Sequence, residues 1–192
     1  MKLAVLGVGL IGGSIGLAAR DRDLAEVTGW VRNPDRAEEC LKVGAVDHMA
    51  ATVEEACADA DVIVCCASVG HLIEMGRKAL EAAPEGCVVT DVGSTKQELV
   101  EALGNDRRFI GGHPLAGAET AGVMNARADL YEGARWYLTP TSDSEGMLLD
   151  RLQKLVKGLG AKPVAIDAVE HDRAMAVVSH LPHVFANQLA AQ

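Results

Sequence analysis

The sequence predicts an α/β fold, a doubly wound and mostly parallel sheet followed by the start of an all-helical domain. Three observations carry this. Short apolar runs (Leu3–Leu6, Asp61–Ala67) have the length and two-sided hydrophobicity of strands covered on both faces, and Cys87–Asp91 reads as another buried strand. Helical patterns alternate with them, as parallel strands joined by crossover helices require. A glycine-rich turn joins the first strand to the first helix.

With 192 residues, 49% of them hydrophobic, the chain can bury one full core and part of a second. Its 27 acidic and 18 basic residues give a formal charge of −9, which argues against nucleic acid or an anionic membrane as the main partner. No apolar run reaches the roughly 18 residues of a spanning helix. The N-terminus enters a strand directly, without a signal-peptide layout. The five cysteines (Cys40, Cys57, Cys65, Cys66, Cys87) are odd in number and lack metal-ligand spacing, so they predict buried reduced thiols, no metal and a cytoplasmic location.

In order along the chain, Gly7, Gly9 and Gly12 give G-x-G-x-x-G at the head of the helix Leu10–Arg20. Gly7 allows a tight turn, Gly9 lets backbone N–H groups approach a pyrophosphate, and Gly12 lets helix and strand pack closely. The pyrophosphate would rest on the positive helix end, with Leu10 and Ile11 of the first turn in the same cofactor site. In this strand–turn–helix context the motif predicts a Rossmann-type dinucleotide site.

The second strand, Val27–Val31, ends where the cofactor is chosen. An acid about twenty residues beyond the glycines would hold the ribose hydroxyls of NAD. Here Val31, Arg32 and Asn33 precede the first acid, Asp35. Arg32 suits a 2′-phosphate, or else it stacks on adenine or faces solvent; the balance favours NADP over NAD. Pro34 opens the next helix, Gly44 closes it, and His48 reads as a surface residue. The strand Asp61–Ala67 delivers Ala67 and Ser68 to the cofactor side, before the helix His71–Ala83.

The strand Cys87–Asp91 ends in Val92-Gly93-Ser94-Thr95-Lys96. Ser94 either caps the helix Thr95–Leu103 or points its hydroxyl into the site; Thr95 is placed with the cofactor contacts, and Lys96 need be no more than solvated charge. His113 lies between a diglycine and a proline, on what reads as irregular backbone. It is either a general base for hydride chemistry at an alcohol carbon or a turn residue. Glu119 either orients His113 or caps the following helix.

The strand Arg135–Pro140, the helix Ser144–Gly158 and the strand Lys162–Ile166 complete a first domain, residues 1–167. Residues 168–192 form a helix carrying His171, His180 and His183, with Pro182 expected to kink it. His180 and His183 have no carboxylate or cysteine beside them, which argues against a metal. Ser179 and His183 share a face at i, i+4 and can reach a ligand. Val177, Val178, Leu181, Phe185 and Leu189 have nothing after them to bury their surface, so the chain reads as cut short or as needing a partner.

Together, Gly7-Val8-Gly9-Leu10-Ile11-Gly12-Gly13-Ser14, Asp91-Val92-Gly93-Ser94-Thr95-Lys96, Gly112-His113-Pro114-Leu115-Ala116-Gly117-Ala118-Glu119 and Ser179-His180-Leu181-Pro182-His183 resemble the prephenate/arogenate dehydrogenase family of tyrosine biosynthesis. The resemblance implies NAD(P)-dependent oxidative decarboxylation of prephenate or arogenate to 4-hydroxyphenylpyruvate or tyrosine. It places His113 as the catalytic histidine taking up the hydroxyl proton, and Ser94 as the serine that contacts the same hydroxyl and helps hold the histidine. It places His183, Ser179 and His171 along the pocket, and Glu119 as a positioning or pH-gating acid. It further implies a homodimer formed through a C-terminal helical domain. Two departures are Ser68, where related members often carry proline, and the missing acid after the second strand. Two other readings are a different β-hydroxyacid-type dehydrogenase, which would carry a lysine that residues 167–192 lack, and a non-catalytic dinucleotide-binding module.

Overall fold

The computed structural model describes residues 1–181 and Phe185, the side chain of His180 excepted. Its centre is a five-stranded parallel sheet of order β3-β2-β1-β4-β5. The strands are β1 (Lys2–Leu6), β2 (Glu26–Trp30), β3 (His48–Met49), β4 (Val62–Cys65) and β5 (Val88–Asp91). Between them run α1 (Leu10–Asp21), α2 (Ala37–Val43, entered through a 3₁₀ turn Pro34–Arg36), α3 (Val53–Cys57) and α4 (Val69–Ala82).

Alternation along the strands assigns the two faces. Leu3, Val5, Val62, Val64 and Val88 pack with Ile15 and Ala19 of α1 and Cys40 of α2. Ala4, Leu6, Ile63, Cys65 and Val89 pack with Ala56 of α3 and Leu72 and Ala79 of α4. The sheet is therefore covered on both sides, which is why its central strands β1 and β4 read as unbroken apolar runs from Leu3 and Val62. All five cysteines are free thiols, and Cys40, Cys57, Cys65 and Cys87 are buried. His48 is exposed as expected, yet its Nε2 lies 3.0 Å from Glu26 Oε1.

Beyond β5 the chain departs from a single doubly wound sheet. After α5 (Gln97–Leu103), Arg108–Ile110 pairs beside Val89, and the chain then leaves the first sheet. β6 (Gly111–Pro114), β7 (Arg135–Thr139) and β8 (Lys162–Ala165) form a second sheet of order β6-β7-β8. β6 runs antiparallel to β7, and β7 parallel to β8. His113 thus sits on a regular strand, opposite Tyr137, rather than on irregular backbone. Its glycines and proline are accommodated because β6 is an edge strand.

α6 (Gly146–Gly158) buries Leu148, Leu152, Leu155 and Val156 in the same core as Trp136 and Leu138 of β7. α7 (Ala168–Met175) is capped by Asp167, whose carboxylate accepts the Val169 and Glu170 amides, and runs on into a π-helical turn Ala176–His180. Val177 and Val178 on that turn, Leu181 and Phe185 are all exposed. The kink expected at Pro182 lies outside the described residues. No helix among the described residues is long and apolar enough to cross a membrane.

Candidate active site

The register Leu6↔Cys65↔Asp91 aligns the carboxyl ends of β1, β4 and β5, so the segments that follow them emerge on one edge of the sheet. Gly7 turns there with φ +109°, its N–H donating to the Trp30 carbonyl at 2.8 Å. Leu10 and Ile11 open α1, whose first amides have no helical partner and whose first turn carries no acid. A Cβ on Gly9 would meet nothing within 4 Å, so open space lies over that turn. An uncompensated positive helix end under open space fits the pyrophosphate of a dinucleotide. Beside it is a cleft of about 480 Å³ lined by Gly7, Trp30, Arg32, Cys66, Ala67 and Ser68, among others. Arg32 is exposed at this cleft and makes no ion pair among the described residues. Ser68 Oγ lies 2.9 Å from His71 Nδ1. Thr95 is half-buried on the turn after β5, outside the wall of this cleft.

The second half of the site is a chain of hydrogen bonds. His113 Nδ1 is 2.9 Å from His171 Nε2, and His171 Nδ1 is 2.7 Å from Asp172 Oδ1. Asp172 also accepts the amides of Lys96 (2.8 Å) and Gln97 (2.9 Å), closing the head of α5. His171 is fully buried and edge-on to both His113 and Tyr137. Burial pushes the Asp172 carboxyl up, but the Gln97 amide, the His171 ring and the Lys96 amide outweigh it and hold it below the usual carboxylate value. An ionised Asp172 accepts only, so His171 donates from Nδ1 and, when neutral, accepts at Nε2. His113 then donates from Nδ1, and its Nε2 keeps a lone pair. That is the tautomer a proton acceptor needs.

The depressed carboxyl has a consequence for stability. The Asp172 contribution is fully present above the unfolded carboxyl value of about 3.9 and is lost as pH falls through the lower folded value. Asp172→Asn is expected to destabilise the protein at neutral pH and to remove part of the stability loss below pH of about 4, as acid titrations followed by circular dichroism would read.

The remaining expected residues fall less close together. Ser94 is half-buried but caps nothing, because α5 starts at Gln97 and Asp172 supplies the acceptor. Glu119 is exposed on the loop after β6, and the 3₁₀ turn that follows, Val123–Asn125, begins after Gly122; the His113 ring is hydrogen-bonded to His171. Ser179 is exposed on the π-helical turn, and His183 lies outside the described residues. Asp172 gave no signal beyond standing next to His171.

Lys96 corrects the reading of solvated charge. Its side chain is 0% exposed and forms an ion pair with Asp91, itself 1% exposed. Burial presses the ammonium below its usual value, against the pull of Asp91. No cluster of three His, Cys, Asp or Glu among the described residues could hold a metal.

Comparison with known proteins settles the lineage. The prephenate dehydrogenase nucleotide-binding domain matches residues 15–165, and the prephenate dehydrogenase dimerization domain matches residues 167–192. The chain belongs to the prephenate dehydrogenase family. It is 36% identical to prephenate dehydrogenase of Lactococcus lactis subsp. cremoris over 200 residues, covering 100% of this chain and 53% of that protein. The crystal structure of Aquifex aeolicus prephenate dehydrogenase with hydroxyphenyl propionate and NAD+ superposes with a TM-score of 0.92 at 31% identity, covering 100% of this chain and 68% of that one. Synechocystis arogenate dehydrogenase gives 0.91 at 30% identity, covering 100% and 69%. The chain spans about half the length of the curated relatives it matches.

Proposed function

We propose that this prephenate dehydrogenase family member binds a nicotinamide dinucleotide and takes part in oxidative decarboxylation of prephenate or arogenate, giving 4-hydroxyphenylpyruvate or tyrosine. The observation that carries the reading is the His113–His171–Asp172 chain, which has His113 donate from Nδ1 and so places the basic lone pair of its ring on Nε2. A bound dinucleotide supplies the hydride acceptor for the hydroxyl-bearing ring carbon. His113 accepts the hydroxyl proton as that carbon is oxidised to a ketone; loss of the ring carboxylate as carbon dioxide sends its electron pair through the ring to that oxygen, and the aromatic phenolate takes a proton back to give the hydroxyl of the product. Ser94, on the turn after β5, is assigned to the same hydroxyl, and Thr95 to the cofactor. His171 acts through His113, while Ser179, His183 and Glu119 are assigned to the substrate side. The helical segment from Ala168 is assigned to a homodimer interface, and the enzyme to the cytoplasm.

Reduced-nicotinamide formation, with prephenate and arogenate each tried against NAD and NADP, tests the assignment. Turnover in any pairing supports it, and dinucleotide binding without turnover in the full-length protein favours a non-catalytic module instead.

Arg32 decides the cofactor in this reading. It is exposed beside the cleft, and no acid stands at the end of β2, which suits the 2′-phosphate of NADP; the Aquifex relative was crystallised with NAD+. Arg32→Gln is expected to weaken NADP binding about tenfold, the worth of one charge-assisted contact, and to leave NAD binding nearly unchanged. Equal loss for both cofactors in fluorescence titrations would assign Arg32 to adenine stacking.

A further inference from the structure

β6 lies at the edge of its sheet, and its outer side at Gly112 is closed by two side chains rather than by a strand. Asp91 Oδ1 accepts the Gly112 N–H at 3.0 Å, and Lys96 Nζ donates to the Gly112 carbonyl at 2.8 Å. Asp91 Oδ2 accepts the Gly93 amide at 2.7 Å and pairs with Lys96. Both peptide groups of the residue immediately before His113 are therefore held by a buried ion pair.

We propose that Asp91 and Lys96 are positioning residues for His113: their ion pair grips Gly112 and fixes where the base meets its substrate. The proposal rests on the reading of His113 as the proton acceptor. Stability alone is a weak reason for such a pair, because buried ion pairs often do no better than well-packed apolar residues of the same volume. Placement is a stronger one. Charge-assisted hydrogen bonds are short and directional, and here both converge on one residue, holding the peptide groups on either side of it. The approach is close enough to require glycine, since a Cβ at position 112 would lie 2.5 Å from the Asp91 carbonyl oxygen and 2.8 Å from Thr90 Oγ1.

Lys96 also reaches the far end of the histidine chain, where its amide donates to Asp172. One residue thus holds the strand that carries His113 and the carboxylate that sets the tautomer of His113. Shifting either end changes the direction in which Nε2 points.

The test compares Lys96→Met with Asp91→Asn/Lys96→Met in the full-length enzyme. The readouts are kcat, both KM values, dinucleotide affinity, melting temperature and the ring ¹⁵N shifts of His113. Lys96→Met is expected to lower kcat by about 10²-fold, the scale of a misplacement near 1 Å, with KM values changed by no more than about twofold. The double variant removes the unpaired buried charge, so its melting temperature is expected to recover while kcat stays low and the His113 ring shifts stay displaced. It also serves as the test protein should Lys96→Met fail to fold. Recovery of kcat together with melting temperature would overturn the proposal, because the pair would then serve the fold alone. Added to His113→Asn, Lys96→Met is expected to cost nothing more. Turnover kept in Lys96→Met but lost in His113→Asn overturns the positioning role by itself. Turnover kept in His113→Asn overturns the base assignment, and this proposal with it.

Discussion

Replacing His113 with asparagine is expected to leave dinucleotide affinity unchanged and to lower turnover by about 10²–10⁴-fold, the usual worth of a positioned general base. The substitution is small in its structural effect. His113 is half-buried on β6, and β6 is held through backbone bonds to β7 and through Gly112, none of which uses the imidazole. An asparagine amide can still donate toward His171 Nε2, so the buried ring keeps a partner. What disappears is the lone pair at Nε2, which an amide nitrogen cannot supply near neutral pH. The dinucleotide cradle lies on the turn after β1 and does not involve this side chain. The check is kcat from reduced-nicotinamide absorbance beside a dinucleotide titration. A variant that turns over like the parent would remove His113 from proton transfer.

Alanine at Gly12 is expected to disrupt the protein before any ligand is added, whereas alanine at Gly9 is expected to act on binding alone. A Cβ at Gly12 would run into the Gly7 carbonyl oxygen and lie 2.8 Å from Val5 Cγ1, so α1 must lift away from β1. Overpacking of this kind costs typically 1–3 kcal/mol, and more where the obstacle is backbone that cannot rotate aside. A Cβ at Gly9 meets nothing, and a helix-flanking alanine costs little in the free protein. Its methyl would occupy the space through which a pyrophosphate approaches the amides of α1. Thermal melts without ligand should therefore separate Gly12→Ala from Gly9→Ala. Titration should show Gly9→Ala stable but weakened about tenfold or more toward either dinucleotide, the equivalent of one lost backbone contact. Normal affinity in Gly9→Ala would place the phosphates elsewhere.

The sequence by itself determined four of the five strands of the first sheet, all but β3, and its nucleotide turn. Leu3–Leu6 and Val62–Cys65 are apolar at every position, and only a strand covered on both faces calls for that. Gly7, Gly9 and Gly12 were legible because the turn they build is local, spanning a few residues in one stretch. His113 stood out through its unusual neighbours, although those neighbours suggested a turn where the chain forms an edge strand.

Only the tertiary structure decided what surrounds His113. His171 lies 58 positions away and Asp172 stands 76 positions from Lys96, whereas Glu119, six residues from His113 in the sequence, is exposed. Lys96 read as a surface charge because nothing in its own stretch marks it for burial. Its partner Asp91 ends one strand and Gly112 lies on another, and the two come together only where the chain passes from the first sheet to the second. Local pattern reports which face of an element is buried, since periodicity is a property of one segment. The partner across that face depends on how separate segments pack, and no single stretch of residues encodes it.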